Sequence, residues 1–173
     1  MKMLGTFLVG LVLCVPFVGW ATTGIVKGIR YDISVGGHLK RAADANTVPL
    51  AKKELHTALK NIETKGWTSG STHVLWWTPA NDVGYWYENL KSSLEELDKV
   101  SPDSTQLERT NLLMKLRETI LDQNGESLTV TAPGGISLHP YNVSYFWLGW
   151  VFGLIGVIGA FMVVIPVVIF FKD

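Results

Sequence analysis

The stretch that most constrains this chain is Tyr145 to Phe171, near its carboxyl end. It contains 27 residues without one charge and is followed by Lys172 and Asp173. A helix needs about 20 apolar residues to cross the roughly 30 Å hydrocarbon core of a bilayer, so this run can span it with some tilt. Aromatic residues cluster at both of its ends, as is typical of membrane interfaces. The run therefore predicts a C-terminal transmembrane helix over residues 145–171 rather than a buried core helix.

A second apolar run occupies the amino-terminal end of the chain. Met3 to Ala21 carries no charge and follows Lys2. A cleaved secretory signal would have a shorter apolar core and a small-x-small cleavage site, which residues 19–21 match only loosely. A retained signal anchor is the other interpretation, and the length of the run favours it. We therefore assign residues 1–24 to an N-terminal transmembrane signal anchor.

The charges that flank the two runs indicate an orientation. Lys2 and Lys172 lie outside the two spans, and flanking cations favour the cytoplasmic side of a membrane. Lys27 and Arg30 follow the first span and oppose this arrangement, but an anchor led by a lysine favours export of the middle of the chain. We expect an inner (plasma) membrane protein with both termini in the cytoplasm. Its central domain is then extracytoplasmic, which in a bacterium means periplasmic.

Composition limits the chemistry of the residues between the spans. Fifteen basic and fifteen acidic residues cancel without a basic patch, which argues against nucleic-acid binding. Cys14 is the only cysteine, so neither an intramolecular disulfide nor a thiolate metal cluster can form. The four histidines lack metal-ligand spacing, and phosphate-binding glycine loops and nucleophile elbows are absent. We therefore predict no catalytic residue, no metal and no cofactor, and a protein that is not an enzyme.

Amphipathic helical patterns dominate residues 25–125. A helical pattern covers residues 37–65, where Pro49 either breaks it, with Thr47 capping a new helix, or bends a single helix. Two further helices each begin with a capping residue followed by proline, at Thr78-Pro79 and Ser101-Pro102. The last of them ends at Asn124-Gly125. These patterns predict an antiparallel bundle of about three helices.

Residues 126–144 must connect the bundle back to the membrane, and they lack helical periodicity. An up-down-up bundle leaves the chain at its far end, and nineteen extended residues can cover about 60 Å. We predict an extended return segment, with a short fourth helix as the structural alternative. The predicted fold class is thus an all-α membrane protein in which two transmembrane helices flank an extramembrane helical bundle. Apolar residues that would pack the return segment along the bundle are Leu128, Val130, Ile136 and Leu138.

Small residues recur on one face of the second span at intervals of four, three and four. Such faces allow helix backbones to approach closely. The simpler interpretation is that glycine is common in membrane helices; the sharper one is that the spans pack on each other or on a partner's helix. The candidate helix-packing face comprises Gly149, Gly153, Gly156 and Ala160 of the second span and Gly10 of the first.

Aromatic residues cluster in the connector around residues 66–78. Trp76 and Trp77 are adjacent on a segment without helical periodicity, so burying both is difficult. The cluster is therefore either part of the core or a surface that faces a partner, a ligand or the lipid headgroups. The candidate recognition surface comprises Trp67, His73, Trp76 and Trp77.

The architecture, though not the sequence, is similar to that of bacterial chemoreceptors, which also carry an exported helical bundle with a span at each end. No signalling module follows Asp173, so we expect this chain to act through another protein. The favoured interpretation is a membrane-anchored interaction or scaffold subunit. The alternative is an extracytoplasmic sensor of a small ligand that signals through a partner. Expected partners are the lipid bilayer and another membrane protein, or a second copy in a homo-oligomer.

Overall fold

The computed structural model describes residues 2–101, 103–124 and 127–170. It is mostly helical, and two of its helices are long and apolar enough to cross a membrane. This confirms the largely helical fold and the two long apolar helices predicted from the sequence. Three predicted boundary residues, Pro102, Gly125 and Phe171, lie outside the described residues.

The chain divides into two units. Unit 1 comprises Met1–Lys27 and Tyr141–Asp173, and unit 2 comprises Gly28–Pro140. The α-helices are α1 (Lys2–Tyr31), α2 (Gly37–Ala43), α3 (Val48–Thr64), α4 (Val83–Asp98), α5 (Gln106–Ile120) and α6 (Asn142–Phe170). A π-helical turn, Asp32–Gly36, joins α1 to α2, and 3-10 turns occur at Pro79–Asn81 and Ile136–Leu138. Strands β1 (Leu121–Asn124) and β2 (Ser127–Val130) form an antiparallel hairpin with Leu121 opposite Val130.

Unit 1 is a pair of antiparallel helices. Gly10 of α1 contacts Gly159 of α6, and Trp20 contacts Tyr145, so the two helices run in opposite directions along their length. Most apolar side chains in both helices point away from the pair and are exposed. This exposure distinguishes them from the core helix of a soluble protein, whose apolar side chains are mostly buried.

Helices α2 and α3 of unit 2 form an antiparallel hairpin. Asn61 Nδ2 donates to the Ser34 carbonyl oxygen at 2.6 Å, and His38 Nδ1 lies 2.7 Å from Glu54 Oε2. Of the two alternatives for residues 37–65, the break is observed and the single helix bent at Pro49 is not, because the chain reverses at residues 44–47. The reason is local: Thr47 is extended, with φ −138° and ψ 143°, and proline fits the first turn of a new helix without losing a hydrogen bond.

This reversal changes the direction of every later helix. Tyr87 Oη donates to Glu63 Oε1 at 2.8 Å, and Lys115 Nζ lies 2.7 Å from Glu96 Oε1, so α4 packs against α3 and α5 against α4. Trp86 Nε1 donates to the Thr131 carbonyl oxygen at 2.8 Å, which places the chain after β2 beside the start of α4. Helix α5 therefore brings the chain back to the end of the bundle at which α4 begins.

A single extended return segment is consequently not observed in the described part of residues 126–144. Residues 127–130 pair with β1, Ile136–Leu138 forms a 3-10 turn, and α6 begins at Asn142. Ile136 is buried, as expected of a residue that packs on the bundle, whereas Leu128 is exposed.

Two helices begin later than the proline signals predict. Asp82 caps α4, and its Oδ1 accepts from the Tyr85 N–H at 2.9 Å. A capping box between Thr105 and Glu108 begins α5. A capping side chain accepts a hydrogen bond from a backbone amide that the helix leaves unpaired, whereas proline only lacks such an amide. The cap therefore decides where each helix starts. The apolar residues of α4 recur at steps of three and four and form its inner face, with Val83, Trp86, Tyr87, Leu90 and Leu97 buried and Leu94 partly buried.

Candidate functional site

The contact between α1 and α6 is built on glycine. A Cβ atom placed on Gly10 would lie 2.7 Å from the Gly159 carbonyl oxygen and 2.9 Å from Met162 Cβ. A Cβ atom on Gly159 would in turn lie 2.7 Å from the Gly10 carbonyl oxygen. Because the nearest atom to each Cβ position is a backbone carbonyl oxygen, neither position has room for a side chain. The two helix backbones are therefore in direct contact here, as small residues permit.

Aromatic side chains join the same two helices at their other end. Trp20 Nε1 donates to the Tyr145 carbonyl oxygen at 2.9 Å, and Tyr145 Oη donates to the Trp20 carbonyl oxygen at 2.8 Å. The two rings stack with centroids 4.8 Å apart. Gly149 and Gly24 accommodate the Trp20 and Tyr145 rings, respectively. These reciprocal hydrogen bonds and the glycine contact hold the pair at both ends.

The predicted helix-packing face is divided by the structure. Gly10, Gly149 and Gly156 lie at the contact between the helices, with Gly156 against Phe17. Gly159 is buried there too, whereas Ala160 is exposed. At 100° per residue, Gly153 and Gly159 lie about 60° to either side of Gly156. The contact with α1 includes Gly159 and not Gly153. Among the described residues, none outside its own helix lies within 4 Å of a Cβ built on Gly153.

The aromatic connector of unit 2 is an ordered loop. The Thr72 N–H donates to the Asn81 carbonyl oxygen and the Val83 N–H to the Gly70 carbonyl oxygen, each at 3.0 Å. Gly70 has φ +88°, a conformation that residues with a side chain rarely adopt. These bonds close the loop at its base, and residues 73–80 extend beyond them.

The four residues of the candidate recognition surface occupy different environments. Trp67 belongs to the core; its Nε1 donates to the His139 carbonyl oxygen at 3.3 Å, and its ring lies 6.0 Å from that of Tyr31. His73 is half-buried, with Nδ1 3.0 Å from Ser71 Oγ. Trp76 and Trp77 are 72% and 56% exposed. With Leu75, which is 57% exposed, they form three consecutive exposed apolar residues, here termed the aromatic tip.

A buried carboxylate is the feature that the sequence reasoning missed. Glu54 lies on α3, only 4% exposed, with Oε2 2.7 Å from His38 Nδ1 and Oε1 2.8 Å from Arg41 Nη2. The hydrogen bond from His38 and the Arg41 charge lower the pKa of Glu54, against the opposing effect of burial. Its spacing in the sequence indicates burial, since Glu54 lies three residues after Ala51 and four before Ala58, within the apolar stripe of α3.

A cavity of about 650 Å³ lies between the α2–α3 turn and the first turns of α5. Its charged lining residue is Arg109, and Leu113 contributes apolar surface. The remaining lining residues are Asn46, Thr47, Val48, Pro49, Val100, Ser101, Gln106 and Thr110. Within residues that the structure describes, no group of three or more His, Cys, Asp and Glu side chains is arranged to hold a metal ion.

Protein-family models, curated proteins and solved structures were compared with this chain, and none matches it.

Proposed function

We propose that this protein is a membrane-anchored interaction subunit. In this proposal α1 and α6 cross the bilayer, unit 2 lies outside it, and the protein acts by binding a partner rather than by catalysis. The flanking Lys2 favours a cytoplasmic position for both termini, which makes unit 2 extracytoplasmic at the inner membrane. A second membrane protein or another copy of this chain would serve as the partner.

The observation that carries the proposal is the exposed apolar surface of unit 1. Within unit 1, at least eleven large apolar side chains of α1 and fourteen of α6 are more than a third exposed. Leaving a large apolar side chain half in water costs about 1 kcal/mol relative to burying it. Summed over both helices, the cost exceeds the roughly 5–15 kcal/mol by which a domain is usually stable. Insertion into a bilayer removes this cost and leaves the pair of helices intact.

The open part of the small-residue face supports a partner contact within the bilayer. Gly156 and Gly159 are used by the internal contact with α1, whereas Gly153 and Ala160 lie beside it. A second helix can approach α6 closely on this side, because neither residue projects a large side chain.

Gly153→Leu tests this assignment. We expect the variant to fold as the wild type does, because the added side chain meets open space, and to lose at least nine-tenths of a bound partner. The measurement is affinity purification from mild detergent with quantitative mass spectrometry of the bound proteins. Gly5→Leu is the matched control, since it adds the same side chain to α1 at a site where no described atom lies within 4 Å outside its own helix. Equal partner recovery with Gly153→Leu and wild type would contradict the assignment.

The cavity beside α5 favours a second candidate function, a sensor of a small organic ligand. Its volume of about 650 Å³ lies in the range of small-molecule sites. The cavity is lined by the α2–α3 turn and α5, and neither Trp76 nor Trp77 contributes to it.

Thermal unfolding with a panel of small organic molecules, which includes carboxylates from acetate to benzoate and their neutral amides, tests the sensor. At ten times its Kd, a ligand stabilises the folded state by about 1.4 kcal/mol, which raises Tm by about 4 °C for a domain of this size. Leu113→Trp should fill the cavity and abolish the shift, whereas Leu107→Trp, at an exposed position of the same helix, should retain it. A panel that leaves Tm unchanged would argue against the sensor.

A further inference from the structure

We propose that the aromatic tip lies in the headgroup layer of the bilayer and forms a third membrane contact beside the two spans. The inference rests on the proposed function in one respect, that α1 and α6 span a bilayer. It assigns the exposed part of the candidate recognition surface, Trp76 and Trp77 with Leu75, to lipid rather than to a protein partner.

The aromatic tip exposes more apolar surface than an isolated surface residue. Single exposed apolar residues are common on proteins and require no explanation. Leu75, Trp76 and Trp77 are consecutive, and each is more than half exposed. Contiguous exposed apolar surface of this kind marks a site of contact with another molecule or with a membrane.

The loop beneath the tip is held in place. Ser71 and Asp82 form a bridge at its base, next to the backbone hydrogen bonds of Thr72 and Val83. Asp82 also caps α4, so the end of the loop is fixed to the start of that helix. The base of the loop is therefore fixed to the bundle, and the three apolar side chains beyond it are exposed for an external contact.

The base of the loop lies next to the last residues of unit 2. Trp67 Nε1 donates to the His139 carbonyl oxygen, and a Cβ atom on Gly70 would lie 3.2 Å from His139 Cε1. His139 precedes Asn142, the first residue of α6, by three residues. Three residues of chain reach at most about 11 Å. Covalent reach alone therefore keeps the base of the loop within a short distance of the start of α6.

The length of α6 places that start at the membrane surface. Its 29 residues extend about 44 Å, which matches the 40–45 Å thickness of a bilayer with its headgroups. If α6 spans the bilayer, Asn142 lies at the outer edge of the headgroup layer. Trp76 follows Ser71 by five residues, over which an extended chain reaches about 17 Å, so the headgroup layer is accessible to the tip.

The chemistry of this region suits lipid headgroups. Indole rings combine an apolar body with one N–H donor and concentrate at the boundary between hydrocarbon and water. Lys65 Nζ lies 5.2 Å from the Trp67 ring centroid, and Lys27 Nζ lies 5.7 Å from that of Tyr141. At a membrane interface a lysine side chain can lie along apolar surface and keep its charged end in the polar layer, where the lipid phosphates lie. Lipid phosphates can thus pair with the lysine charges, and the interfacial layer accommodates the indole rings.

The test measures the depth of a spin label at the tip in the full chain. Trp77→Cys, in a Cys14→Ala background, is labelled and reconstituted into vesicles of phosphatidylcholine and phosphatidylglycerol. Collision rates with oxygen, which concentrates in lipid, and with a water-soluble nickel chelate give the depth. Leu107→Cys, on the exposed surface of α5, is the water reference, and Val157→Cys, exposed on α6, is the hydrocarbon reference.

The expected result is a label at residue 77 that lies within about 5 Å of the lipid phosphates, with nickel accessibility at least threefold below that at residue 107. Equal nickel accessibility at residues 77 and 107, with residue 157 in hydrocarbon, would overturn the lipid contact and leave the two spans standing. A water-accessible label at residue 157 would overturn both proposals. Exclusion of both reagents at residue 77 would indicate contact with a second copy of the protein and would also overturn the lipid contact.

Discussion

Replacing Gly10 by leucine should separate α1 from α6 and destabilise unit 1 by about 3 kcal/mol. A Cβ atom at this position would lie 2.7 Å from the Gly159 carbonyl oxygen, and a change of rotamer cannot relieve a clash with backbone. Overpacking commonly costs about 1–3 kcal/mol when side chains can move, so a backbone clash belongs at the upper end. We expect a lower Tm in detergent and loss of the hydrogen bonds between Trp20 and Tyr145.

The measurement is thermal unfolding of the purified chain, followed by tryptophan fluorescence. Gly5→Leu is the control, because it makes the same substitution in the same helix, and around its Cβ position the described residues outside that helix leave open space. Its Tm should stay within about 1 °C of the wild type. Equal Tm values for Gly10→Leu and Gly5→Leu would show that the backbones are not in contact at this point.

The second large effect is expected from Glu54→Gln. The substitution keeps the shape of the side chain but removes the charge that His38 and Arg41 contact at 2.7 and 2.8 Å. Hydrogen bonds to a charged group contribute about 1.5–3 kcal/mol each, but His38 and Arg41 are partly solvated, which reduces their contribution. We therefore expect a loss of about 2 kcal/mol in the free energy of unfolding at pH 7, measured by denaturant unfolding.

The same contacts predict how this loss depends on pH. The folded-state pKa of Glu54 is lower than its unfolded value, so the stabilisation is present above the unfolded pKa of about 4.3. It disappears as the pH falls through the lowered folded-state pKa. The difference between wild type and Glu54→Gln should therefore be greatest near neutral pH and shrink steadily below pH 4. Glu95→Gln, at an exposed position of α4, is the control, and an equal loss there would remove the special role of Glu54.

Much of the local structure was predictable because its causes lie close together in the chain. Both long apolar helices follow from uncharged runs, and the buried stripe of α4 follows from spacings of three and four. The candidate site was less accessible. Trp67 and Trp77 are the same residue type ten positions apart, yet one packs against Tyr31 and the other is exposed. Composition cannot separate them, because burial depends on partners distant in sequence.

By itself, the sequence determined which segments are helical and which are apolar enough to enter a membrane, because backbone hydrogen bonding and side-chain periodicity act over a few residues. Only the tertiary structure decided that the chain reverses at residues 44–47 and that α6 packs through Gly159 rather than Gly153. It also decided that Glu54 is buried between His38 and Arg41. These outcomes depend on which surfaces meet. About 120° around α6 separates Gly159 from Gly153, and one extended residue, Thr47, lies in the turn between α2 and α3.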